Sequence, residues 1–145
     1  MADPGLIDRG APWLEPYLAF APLLDGADPR PALSEAAGAS GVRTSAGHPV
    51  RFVAGQDADL SGAGGYERHI AASGCVPTRL NPHDLLNALA WLAFPRTKAA
   101  LNALHAAAPE AGQPKGSGSS RGPVRDAVTL LDENGLLLAC DDPAL

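Results

Sequence analysis

"TRLNPHDLLNALAWLAFPRTKAALNALH", residues 78–105, decides how this chain is read. Asn81 has the side chain of a helix N-cap, and Pro82 suits the first helical position, where an N–H would be orphaned anyway. Asp84 sits at the third position, where its carboxylate can return to the Asn81 N–H and meet the positive end of the helix dipole. At about 100° per residue, Leu85, Leu86, Ala88, Leu89, Ala90, Leu92 and Ala93 cover most of the circumference, as in a core helix. His83, Asp84 and Asn87 share one narrow wedge, with Trp91 on the same side. Phe94-Pro95 ends this helix, and a second runs from about Arg96 to Ala107.

The second helix divides into two faces. Ala99, Ala100, Leu101, Ala103, Leu104, Ala107 and Ala108 form a small-residue face suited to close packing. Lys98, Asn102 and His105 lie opposite, at i, i+4 and i+7. Solvation is the simplest reading of that polar face, and a ligand contact through Lys98 is the alternative.

Outward from these helices the signals weaken. "WLEPYLAFAPLL" (13–24) reads as a short helix interrupted at Pro16 and Pro22, and residues 31–39 as a weak helix. "HPVRFVAGQ" (48–56) alternates like a strand, with Val50 and Phe52 on one face. "YERHIAASG" (66–74) reads as a helix stopped by Gly74, and "CVPTRL" (75–80) as extended, because Pro77 disfavours helical geometry at Val76. Residues 110–122 are rich in Gly and Ser and read as a flexible linker. Asn134-Gly135 between Ala127–Asp132 and Leu136–Cys140 predicts an antiparallel β-hairpin. The expected fold is α+β: one domain with a mainly helical core, a C-terminal hairpin and long irregular loops. Asp142-Pro143-Ala144-Leu145 looks like the start of a helix, so a piece of a longer protein is expected, with its own C-terminal region as a partner.

The net charge is −5, and eleven basic residues lie scattered among sixteen acidic ones. That distribution lacks the concentrated positive field that releases counterions from a nucleic-acid backbone, so a nucleic-acid partner is not expected. No apolar run is long enough to span a bilayer and no basic leader precedes one, which points to a cytoplasmic protein without a membrane partner. Cys75 and Cys140 lack metal-finger spacing and read as reduced thiols.

His83, Asp84 and Asn87 are the candidate catalytic residues, since a His and an Asn at i, i+4 point to one place and His is the usual general base. Arg79, Lys98, Arg121 and Arg125 are the candidate ligand-binding residues, suited to a small anionic ligand. His69 can be imagined joining His83 and Asp84 around a metal, but no metal-site motif supports it, and no cofactor is implied. Helix punctuation explains Asn81, Pro82, Asp84 and Pro95, so Arg79, His83, Asn87 and Lys98 are left as the residues without a local structural role.

The run from Tyr66 to His105, with "RGPVRDAVTLLDENG" after it, resembles a proteobacterial family known as domain of unknown function 3025. The resemblance rests on Tyr66, Glu67, Gly74, Thr78, Arg79, His83, Asp84, Asn87, Trp91, Phe94, Pro95, Lys98, Asn102, Arg121, Arg125, Asp126, Asp132 and Gly135. It implies a longer C-terminal region and assigns no activity. The first functional reading is a polar pocket around His83, Asn87, Arg79 and Lys98 with no activity assigned. A fainter similarity of "HDLLNALAWLAFPRTKAALN" to the helical half of HNH-type metal nucleases offers a metal-dependent hydrolase or nuclease as an alternative. A non-catalytic interaction module is a third.

Overall fold

The structure, a computed structural model, describes residues 10–55, 65–108 and 123–134. Two 3-10 turns, Pro12–Tyr17 and Ala21–Leu24, precede α1 (Arg30–Ala39) and β1 (Arg51–Val53). Then come α2 (Gly65–Ser73), β2 (Cys75–Pro77), α3 (Pro82–Ala93), α4 (Pro95–Ala107) and α5 (Pro123–Asn134).

The helix start at Asn81 forms as its chemistry dictates. Asn81 is extended, and its Oδ1 accepts the Asp84 N–H at 2.9 Å. The resulting α3 buries Leu85, Ala88, Leu89, Trp91 and Leu92 at the centre of the core. Phe94 leaves helical geometry (φ −130°, ψ 56°) and Pro95 starts α4 at once. The Phe94 ring meets Tyr17 in a T-shaped contact, 5.9 Å between centroids.

β1 and β2 pair in parallel, with Arg51 opposite Cys75, Phe52 opposite Val76 and Val53 opposite Pro77. The crossover between them contains α2, so the unit is a minimal βαβ. Phe52 and Val76 are buried, as the alternation around Val50 and Phe52 predicts. The outer edge of β1 is closed by α1: the Ser34 hydroxyl accepts the Phe52 N–H at 2.9 Å and donates to the Phe52 carbonyl at 3.3 Å. Both backbone groups that an edge strand leaves open are thereby satisfied.

Gly74 ends α2 and starts β2. Its N–H bonds the Ile70 carbonyl at 2.8 Å, and its carbonyl accepts the Arg51 N–H at 2.9 Å. Its φ is +73°, and a Cβ built there would lie 2.2 Å from the Pro49 carbonyl oxygen. Glycine is required twice over, by dihedral and by space.

The N-terminal reading changes in type. The "WLEPYLAFAPLL" stretch forms two short 3-10 turns instead of an interrupted α-helix, because Pro16 and Pro22 cannot donate to a continuing ladder.

The expected C-terminal hairpin is corrected. Ala127–Asp132, its first strand, lies inside α5. Pro123 starts this helix, Asp126 stands in its first turn, and Val124, Val128 and Leu131 recur at helical spacing. Asn-Gly is as good a helix stop as a hairpin turn. α5 buries Val128 and exposes Val124, Leu130 and Leu131. The described fold is thus mainly helical with a two-stranded parallel sheet. Leu136–Cys140, the 110–122 linker and residues 142–145 lie outside the described residues. Among those described, no helix is long and apolar enough to cross a membrane.

Gly74→Ala is expected to lower the unfolding free energy by about 2 kcal/mol or more, from the left-handed dihedral and the displaced Pro49 backbone. Urea denaturation of the two proteins measures this; a change under about 0.5 kcal/mol would contradict the packing described.

Candidate functional site

The polar wedge of α3 is divided between two places. Its outer part is built on Asp84. The Asp84 carboxylate accepts from the Arg79 backbone N–H (2.9 Å), Arg79 Nε (2.9 Å) and Arg79 Nη2 (3.2 Å). His83 Nδ1 lies 3.1 Å from Asp84 Oδ1, the oxygen that also accepts from Arg79 Nη2. The carboxylate therefore fastens the β2–α3 connection onto the first turn of α3, where the capping-box reading had directed it to Asn81. Burial alone would raise the Asp84 carboxyl, but the bonds from Arg79 and His83 outweigh it and hold it at about 2. A carboxyl so strongly held in its ionised form does not deliver protons near neutral pH. Arg79 and His83 are largely exposed outside it.

The inner part of the wedge, Asn87 and Trp91, faces α2, α4 and α5. Here the solvated reading of the α4 polar face is overturned. Lys98 and Asn102 are buried, at 8% and 3% exposure, while Ala100, Leu104 and Ala107 of the supposed packing face are exposed. Lys98 Nζ donates to both oxygens of Asp132 on α5, at 2.7 and 2.8 Å, and stands 6.0 Å from the Trp91 ring centroid. Asn102 Nδ2 donates to the Glu67 backbone carbonyl at 2.9 Å and to Glu67 Oε2 at 2.6 Å, both on α2. Inward-turned polar side chains need such partners, since an unsatisfied buried group costs a few kcal/mol.

Tyr66, Glu67, Ile70, Asn87, Trp91, Lys98, Leu101, Asn102, His105 and Asp132 line one cleft. It is small, with ≈ 10 Å³ open to the centre of a water-sized group. Asn87 Nδ2 donates to the Tyr66 hydroxyl at 3.3 Å, which donates onward to the Pro77 carbonyl at 3.4 Å. Burial, then the negative charges of Glu67, Asp84 and Asp132, push the Tyr66 hydroxyl well above its ordinary range. It stays protonated, as a neutral donor and acceptor. Among the described residues, the lining contains no Ser, Thr or Cys nucleophile.

One atom in the cleft wall is unsatisfied. Asn102 Oδ1 is buried without a hydrogen-bond partner among the described residues. Its identity as oxygen is fixed by geometry: exchanging the two amide atoms would aim an oxygen at two Glu67 oxygens.

Of the sequence-selected residues, Asn87 and Lys98 meet in this cleft, whereas Arg79, His83 and Asp84 form the separate outer cluster. Arg121 lies outside the described residues; Arg125 is on α5, with its side chain also outside them. Among the described residues no three His, Cys, Asp or Glu side chains assemble as metal ligands, so His69, His83 and Asp84 form no such site. Cys75 is a free, half-buried thiol, and Cys140 lies outside the described residues. Sequence reasoning did not place Tyr66, Glu67, Asn102, His105 or Asp132 in the site. The signal was present in Lys98, Asn102 and His105, one helix stripe assigned to solvent. Tyr66, Glu67, Asn87, Trp91, Lys98, Asn102 and Asp132, all positions on which the family resemblance rests, converge on the cleft.

Two stability measurements follow. Removing one partner of the Lys98–Asp132 pair strands the other: Asp132→Asn or Lys98→Met is expected to cost about 3 kcal/mol, and Lys98→Met with Asp132→Leu less than the sum. A double-mutant cycle in urea that shows no coupling would refute the pair. The Asp84 carboxylate, ionised down to about pH 2 in the folded chain against about 3.9 unfolded, stabilises fully above about pH 4. That contribution fades as pH falls from about 4 towards 2. Asp84→Asn should therefore destabilise at pH 7 by about 2 kcal/mol and show a shallower acid limb in melting temperature against pH.

No curated protein and no solved structure matches the chain. A family model covers residues 50–145, the span that contains β1, α2, β2, α3, α4 and α5 and so every wall of the cleft. On that match the chain belongs to the family described as Protein of unknown function (DUF3025).

Proposed function

We propose that this domain binds a small ligand through the cleft between α2, α3, α4 and α5, and that the cleft recognises one end of that ligand without transforming it. The observation that carries the reading is Asn102 Oδ1. A buried acceptor with no donor is worth about 1–3 kcal/mol of lost stability, and native folds keep few of them. A donor arriving from outside recovers that energy, and the neighbouring groups are already arranged to receive it. Glu67 locks the amide in place, Asn87 and Tyr66 hold each other, and Trp91 supplies an apolar wall.

The engagement of the cleft's polar side chains with one another supports recognition over catalysis. Tyr66 is held protonated, Lys98 is engaged by Asp132, and among the described residues the lining carries no Ser, Thr or Cys. The metal-dependent hydrolase alternative gains no supporting ligand set among the described residues.

A library of small polar compounds, screened by melting temperature and by side-chain amide NMR, tests this. Ligands are expected to shift the Asn102 and Asn87 amide signals together and saturably, and to raise the melting temperature by mass action. Loss of those hits in Asn102→Ala, with the fold retained by circular dichroism, is the companion result. A screen whose hits all leave the Asn102 signals unmoved would sink the proposal.

A further inference from the structure

We infer that the group received by the cleft is a protonated primary amine. The inference rests on the binding role proposed above and adds the chemistry of the ligand. Three observations converge. The first is the buried, unpartnered Asn102 Oδ1, an acceptor that only a donor can satisfy. The second is charge. Lys98 and Asp132 neutralise each other, while Glu67 makes no ion pair among the described residues. Among the described residues the cleft therefore carries one carboxylate without an ion-pair partner, within hydrogen-bond reach of the same Asn102 amide. An anion brought here would face the Glu67 carboxylate; a cation would be attracted. The third is size. Space for about one water-sized centre, ≈ 10 Å³, matches an –NH3⁺ head better than the larger planar guanidinium or a quaternary ammonium.

An ammonium in this position donates one N–H to Asn102 Oδ1 and a second to the Glu67 carboxylate. Asn102 then has all its amide atoms satisfied, and Glu67 acquires the charge partner it lacks. The carbon substituent of the amine leaves past the half-exposed Glu67 and His105 side chains, which keep the cleft in contact with solvent.

Titration of the whole chain with methylammonium chloride, tetramethylammonium chloride, acetamide and sodium acetate at matched ionic strength tests this, read by the Asn102 side-chain NMR signals. Methylammonium is expected to produce a saturable shift at Asn102; tetramethylammonium and acetate are expected to produce none. Glu67→Gln should weaken the methylammonium response at least ten-fold, and the wild-type titrations decide alone should that variant not fold. A saturable response to acetamide without one to methylammonium would overturn the amine and leave the binding cleft standing. Equal responses to methylammonium and tetramethylammonium, or unchanged methylammonium affinity in Glu67→Gln, would also overturn it. If neither these probes nor the library compounds move the Asn102 signals, the amine and the binding role fall together.

Discussion

The arrangement depends on α4 turning its polar stripe inward. Lys98 and Asn102 are buried, and each must find a partner before the chain can close around it. Asn102 finds Glu67, which fixes α2 against α4. Lys98 finds Asp132, which fixes α5 against α4. Apolar contacts alone would let these helices slide by small steps, because apolar packing is non-directional. Two directional clamps from one helix, a turn apart, set the rotation of α4 and the positions of both neighbours. The cleft is what remains between the clamps. Its polar lining is thus a consequence of how the helices are held.

Asp84 performs a related task on the other side of α3. By collecting the Arg79 backbone and guanidinium together with His83, it holds the chain that leads out of β2 against the start of α3. This ties the sheet to the central helix. Pro77 at the end of β2 then receives the Tyr66 hydroxyl, and Tyr66 receives Asn87. A continuous set of hydrogen bonds therefore runs from the parallel sheet to the cleft wall. The Asp84 carboxylate, engaged by both Arg79 and His83, fastens this connection.

The local parts of this structure were legible. Asn81, Pro82 and Phe94-Pro95 punctuate helices by their own covalent chemistry, and Val50 and Phe52 alternate as a half-buried strand must. Gly74 was recognisable as a helix stop, although only the fold shows how closely it approaches Pro49. The remainder was hidden because it depends on distant pairs. Glu67 and Asp132 lie 35 and 34 residues from the α4 side chains they satisfy. Without them, an Ala-rich face looks like packing and a Lys-Asn-His stripe looks like surface. The parallel pairing of β1 with β2 is likewise non-local. α5 differs from the expected strand because Asn134-Gly135 suits a hairpin turn, while Pro123 and the apolar spacing suit a helix. The Asp132 clamp rewards the helix.

The central claim is that Asn102 is locked by its Nδ2 onto Glu67, leaving Oδ1 as an acceptor in the cleft. Side-chain amide NMR of Asn102 tests it most directly. Two Nδ2 protons that are well separated in shift, exchange slowly with solvent and show through-bond coupling to Glu67 acceptors are the predicted result. Degenerate, rapidly exchanging protons, or coupling of the carboxamide oxygen to a protein donor, would contradict it.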